Sequence, residues 1–181
     1  MINKHFFEIV LLLLASSTLF SPELKLALFQ QRVNRELKLL NKFPKSSVQP
    51  CLPHRTNFLL SQQSVNRRRS QSGQALAILH EMLLQTFSLF RAGISLDGWE
   101  EIRVEFLTEL HQQLEYLGAL RGLGAEQNSG VLSGGNSRMQ VKKYFRRIHN
   151  YLENQEYNSC AWREINRCLF FAFQLVRKLS K

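Results

Sequence analysis

The stretches VKKYFRRIHNYL (residues 141–152) and SCAWREINRCLFFAFQLVRKL (residues 159–179) decide the fold. In the first, Val141, Tyr144, Phe145, Ile148 and Leu152 recur at steps of three and four. In the second, Trp162, Ile165, Leu169, Phe173, Val176 and Leu179 do the same. That period lines one face of an α-helix, whereas a half-buried strand alternates every second residue. The connection between them is short, so the two helices are antiparallel neighbours.

Toward the N-terminus, three more segments carry the helical period. The first holds Leu26, Phe29, Val33, Leu37 and Leu40 and is stopped by Pro44. The second holds Leu76, Leu79, Leu83, Phe87 and Phe90, and the third Trp99, Ile102, Phe106, Leu110, Leu114 and Leu117. Asp97, Ser137 and Ser159 are the expected N-caps of the third, fourth and fifth helices, with Glu100 and Gln140 completing capping boxes for the first two of these. Two connections are long: Asn41 to Gly73, with Pro44, Pro50, Pro53 and Arg67 to Arg69, and Arg121 to Asn136, with five glycines. Long crossovers are what parallel neighbours in a bundle require. The expected fold is all-α, a five-helix bundle of the four-helix-bundle kind with long crossover connections.

Of 181 residues, 44% are hydrophobic and 13 are Phe, enough for one domain with a sizeable core. Residues 1–21 read as a signal peptide. Lys4 and His5 form the n-region, Phe6 to Leu14 is apolar but for Glu8, and small Ala15, Ser16 and Ser17 follow. The run is shorter than the roughly 20 residues needed to span a bilayer. Cleavage after Ser17 or Ser21 would leave a single secreted domain over about residues 22–181, with no further stretch long enough to anchor it. Under oxidising conditions Cys51, Cys160 and Cys168 allow one bridge and one leftover thiol. They lack CxxC spacing and make a poor metal site. Cys168, flanked by apolar residues, reads as a buried free thiol.

The net charge is +10 with a pI near 10.0. Such a protein is drawn to heparan sulfate, anionic membranes and acidic receptor surfaces, and export argues against nucleic acid as a partner. The charge concentrates in Lys142, Lys143, Arg146 and Arg147 of the fourth helix and Arg163, Arg167, Arg177 and Lys178 of the fifth. Catalytic patterns are lacking. His80-Glu81 opens a zinc-protease-like string, but Leu84 stands where the second His belongs, so the two read as an exposed polar pair. The glycine-rich connection has no phosphate-loop pattern, and Glu100-Glu101 suits a helix's first turn. Neither an enzyme nor a cofactor is expected.

The strings Lys142-Lys143-Tyr144-Phe145-Arg146-Arg147-Ile148, Tyr151-Leu152, and Cys160-Ala161-Trp162 followed by Glu164-Ile165-Asn166-Arg167 resemble those of one family, the type I interferons. His80-Glu81-Met82, Phe87-Ser88-Leu89-Phe90, Cys51-Leu52-Pro53-His54-Arg55 and Leu110 to Leu117 extend the resemblance over nearly the whole chain. It implies a five-helix long-chain cytokine, acting as a monomer, that joins the two chains of the type I interferon receptor and triggers JAK–STAT antiviral and immune signalling. It also implies the pairing Cys51–Cys160. By position, Leu52, Arg55, Phe58 and Arg167 would meet the high-affinity receptor chain. Phe87, Leu107 and Lys142 would meet the second chain, although periodicity also puts Phe87 on the core stripe. The chain departs from the pattern by being about four residues short between Trp162 and Glu164 and about two short between Gln31 and Leu37. Removing four residues turns a helix face by only about 40°. Two other readings follow from the same residues: a basic helical host-defence protein held by heparan sulfate or anionic membrane, and a diverged interferon with weakened signalling.

Overall fold

The computed structural model describes residues 4–5, 8–9, 22–43, 51, 53, 56, 58, 60, 72–92, 98–125 and 135–178. The expected cleavage positions, after Ser17 or Ser21, lie outside these residues. Five helices carry the domain: α1 (Pro22–Lys42), α2 (Ser72–Ala92), α3 (Glu100–Ala125), α4 (Gly135–Asn154) and α5 (Ser159–Arg177). Strands are absent among the described residues.

Helix directions follow from pairs of contacts. Asn34 of α1 accepts from Arg177 of α5 and the Leu40 carbonyl accepts from Asn166, so these helices run antiparallel. Arg35 pairs with Glu109 of α3 at 2.9 Å and Lys42 with Glu105 at 2.5 Å, which makes α1 and α3 antiparallel. The α2–α3 pair is antiparallel too, since Phe87 meets His111 while Phe90 meets Phe106. Helices α1 and α2 therefore point the same way, and the long connection between them is a crossover.

The apolar stripes meet in one core. Val141, Tyr144, Phe145, Ile148 and Leu152 of α4 are fully buried, as are Ile165, Leu169, Phe173 and Val176 of α5. The two helices expected to be short are continuous and in phase: Trp162 and Ile165 are both buried in α5, and Val33, Leu37 and Leu40 are buried in α1. Phe43, Phe90, Trp99, Phe106 and Trp162 knit four elements together, with ring centroids 4.8–5.5 Å apart. Edge-to-face and tilted pairs at this spacing add to the stabilisation given by area burial.

Local expectations need four corrections. Asn158, not Ser159, caps α5: its backbone is extended and its Oδ1 accepts from the Ala161 N–H at 2.9 Å. Glu156 and Tyr157, both at positive φ, turn the chain just before it and leave Asn158 in the capping position. Replacing Asn158 by Ala is expected to lower stability by about 1 kcal/mol in chemical denaturation. Ser137 is buried inside α4, whose helix starts at Gly135, rather than preceding it. Helix α3 runs through Gly122 and Gly124, which were expected in the glycine-rich connection. Glu81, expected exposed, is fully buried; it accepts from Gln85 at 2.9 Å and pairs with Arg138 of α4 at 3.3 Å. A neighbouring helix supplies that partner, which the sequence of α2 alone does not reveal. Asp97, the cap expected for α3, lies outside the described residues; the Trp99 carbonyl accepts the first helical bond, from Arg103.

A second buried carboxyl lies between α1 and α3. Glu36 is fully buried and takes a hydrogen bond from the amide of Gln113, itself fully buried. Burial, reinforced by Glu109, pushes the Glu36 carboxyl up to about 8 against the opposing pull of the Gln113 amide, Arg35 and Arg32. Glu36 Oε2 and Gln113 Oε1 each lack a donor among the described residues. A proton on Oε2 gives this pair of acceptors the donor it needs, so the neutral acid fits the site better than the carboxylate does.

Candidate functional site

The first half of the crossover is fastened to α5. Cys51 and Cys160 form a disulfide, with Cα atoms 5.2 Å apart, and Arg163 Nη1 lies 3.4 Å from Cys51 Sγ. A few residues on, Glu164 joins loop to helix. It accepts from the Thr56 N–H at 3.1 Å with one oxygen and takes a two-pronged grip from Arg167 with both. Arg167 Nη2 also reaches the Thr56 carbonyl at 3.4 Å, and its guanidinium lies 5.5 Å from the ring centre of Phe171. Phe58 continues the attachment, meeting Tyr151 of α4 edge-on at 5.2 Å.

Electrostatics explain why this joint holds. Burial raises the Glu164 carboxyl, but hydrogen bonds from Arg167 and the Thr56 N–H outweigh it and hold the group below its ordinary value. Glu164 thus stays ionised, while Arg167, bonded to it, is held above its own ordinary range. Cys168 is the free thiol expected: buried, 3.6 Å from Glu164 Oε1, and pushed up to about 12 by burial and that carboxylate. A thiol so reluctant to ionise is a poor nucleophile.

Of the residues expected on this face, Phe58 is half-buried and Arg167 is half-exposed beside Phe171, whose side chain is 54% exposed. Leu52 and Arg55 lie outside the described residues. Glu164, Thr56 and Phe171 were not singled out from sequence. The three-residue spacing of Glu164 and Arg167 on a helix was the available signal for the ion pair.

A separate face is built from α2, α3 and α4. Phe87 and Leu107 pack partly against the core, and Phe87 stacks tilted on His111 at 6.1 Å. The same sides of α2 and α3 carry exposed Leu84 and Val104, which leaves an apolar strip in contact with solvent. Lys142 is exposed on α4, the helix that Glu81 and Arg138 tie to α2. Phe87 therefore serves the core with one edge and faces out with the other. Metal-binding clusters of His, Cys, Asp and Glu are absent among the described residues. None of the described helices is long and apolar enough to cross a membrane.

Comparison with known proteins agrees with this architecture. Residues 27–179 match the interferon alpha/beta domain. The whole chain is 69% identical to interferon epsilon of Sus scrofa, covering 97% of that protein. It is also 65% identical to interferon epsilon of Homo sapiens, covering 90% of it. Interferon tau-2 of Bos taurus is more distant, at 39% identity over 80% of this chain and 87% of the relative. The chain therefore belongs to the interferon alpha/beta family, whose members are cytokines and not enzymes.

Proposed function

We propose that the chain is a secreted ligand that brings together the two chains of the type I interferon receptor and so triggers JAK–STAT antiviral and immune signalling. In this reading residues 1–21 are removed on export and the remainder acts as a monomer. The observation that carries it is the division of the surface into two faces on one rigid bundle. One is the crossover fastened to α5 through Cys51–Cys160 and Glu164, with Arg167 at its edge. The other is the α2–α3–α4 strip with Phe87, Leu107 and Lys142. A ligand that joins two different receptor chains needs two such faces that do not compete. The high-affinity chain takes Leu52, Arg55, Phe58 and Arg167, and the second chain takes Phe87, Leu107 and Lys142. An arginine already aligned by a neighbouring carboxylate loses little freedom on binding, which favours Arg167 as an anchor.

The test is STAT phosphorylation in cells that carry both receptor chains and in matched cells lacking either one. The expected result is a response at low concentration in the former and none in either deletion line. A response that survives loss of a receptor chain would overturn the proposal. Silence in all lines from a folded, oxidised protein would identify a diverged interferon that no longer signals.

A further inference from the structure

Helix α4 carries a surface that neither receptor face fully uses. Lys142, Lys143, Arg146 and Arg147 are all exposed. They form two rows, 142–146 and 143–147, each stepping about 6 Å along the helix, with the rows about 100° apart around its axis. The only acidic residue of α4 is Glu153, near its end. The opposite stripe, from Val141 to Leu152, is fully buried in the core, so the cations sit on a helix that cannot roll. The other basic cluster is differently placed: Arg163 leans on Cys51, Arg167 is held by Glu164, and Arg177 reaches Asn34.

We propose that the outer face of α4 binds a sulfated glycosaminoglycan of the heparan sulfate type, with Lys142, Lys143, Arg146 and Arg147 as its contacts. Charge complementarity selects a polyanion, and the burial of the apolar stripe selects between kinds of polyanion. A helix that binds a lipid surface lays its apolar face into the acyl boundary. In α4 that face is committed to the core, and Met139 is its one exposed large hydrophobic residue. A flexible, densely sulfated chain needs no apolar insertion. It needs fixed cations spaced to meet successive anionic groups, and it gains from release of its counterions, as DNA does. The site does not rest on the receptor reading. Lys142 belongs to both surfaces, however, so glycan and second receptor chain compete for the same side of α4.

The test uses the oxidised chain with a heparin-derived octasaccharide, titrated at several salt concentrations, beside phosphatidylserine–phosphatidylcholine vesicles. The variants are K142Q/K143Q/R146Q/R147Q and, to spare the contacts of Arg147 within the fold, K142Q/K143Q/R146Q. The control K38Q/R91Q/K178Q removes exposed charge elsewhere, and circular dichroism confirms that each variant is folded. The expected result is saturable octasaccharide binding that weakens steeply with salt. Both α4 variants should bind at least about tenfold more weakly and the control within about threefold of the parent. Equal losses in α4 variants and control would mean that net charge alone acts and would overturn the site. Binding to vesicles without binding to the octasaccharide would overturn the choice of partner.

Discussion

The double variant Cys51→Ser/Cys160→Ser is expected to be less stable than the parent by roughly 4–5 kcal/mol in reversible denaturation. The bridge spans a sequence separation of 109 residues, so breaking it returns a large amount of chain entropy to the unfolded state. Replacing both cysteines avoids a lone sulfur that could pair with Cys168. Loss of the bridge should also reach function selectively. Thr56 and Phe58 remain attached through Glu164 and Tyr151, so the crossover stays near α5 but loses its covalent start. Binding to the receptor chain proposed to meet the crossover should fall well before binding through the proposed Phe87–Leu107 face. A destabilisation below about 1 kcal/mol would show that the noncovalent contacts alone fix the crossover.

The second large effect is a fall in stability as pH rises, centred on Glu36. Its carboxyl titrates near 8 in the folded chain against an ordinary 4.5. Below 4.5 both states hold the proton, and the stabilisation is complete. Between 4.5 and about 8 only the folded state holds it, so stability declines as pH rises, and above the folded value the decline is finished. At about 1.4 kcal/mol per unit, this contribution is on the order of 5 kcal/mol across the window. Glu109 of α3 pushes in the same direction as burial, while the Gln113 amide and the cations Arg35 and Arg32 of α1 oppose it without cancelling it. Glu36→Gln removes the ionisation while keeping shape, and the introduced amide can donate to Gln113 Oε1. Denaturation measured from pH 5 to 8.5 should show the parent losing several kcal/mol relative to Glu36→Gln, the variant being the more stable at the alkaline end. Parallel curves would mean that Glu36 is ionised in the fold throughout this range.

What the sequence could reveal divides by physical cause. The stripes of α4 and α5 were legible because burial on one face imposes a period that no other constraint on those residues imitates. Positions such as Glu36, Glu81 and Gln113 were not, because each is buried against a partner that another helix brings, 57 or 77 residues away. The α5 cap was misplaced by one residue because the turn through Glu156 and Tyr157, not the helix, sets where α5 begins. Gly122 and Gly124 marked a loop by propensity, and each costs a helix about 1 kcal/mol, yet α3 continues through both. The Cys51–Cys160 pairing came from resemblance, since three cysteines alone leave it open. Arg167 is expected on the high-affinity face from sequence, but the carboxylate that orients it was not singled out. An (i, i+3) ion pair on a helix ordinarily sits in solvent, whereas this one also anchors Thr56.

The central claim is a ligand with two independent receptor faces, and equilibrium binding of the oxidised chain to each isolated receptor ectodomain at physiological salt tests it most directly. Arg55→Ala, Arg167→Ala and Phe87→Ala are measured alongside the parent. The expected result is saturable binding to both ectodomains. Arg55→Ala and Arg167→Ala should weaken one by more than about fivefold, or roughly 1 kcal/mol, and leave the other unchanged; Phe87→Ala should do the reverse. A folded, helical chain that binds neither ectodomain, or losses shared equally between the two, would contradict the account.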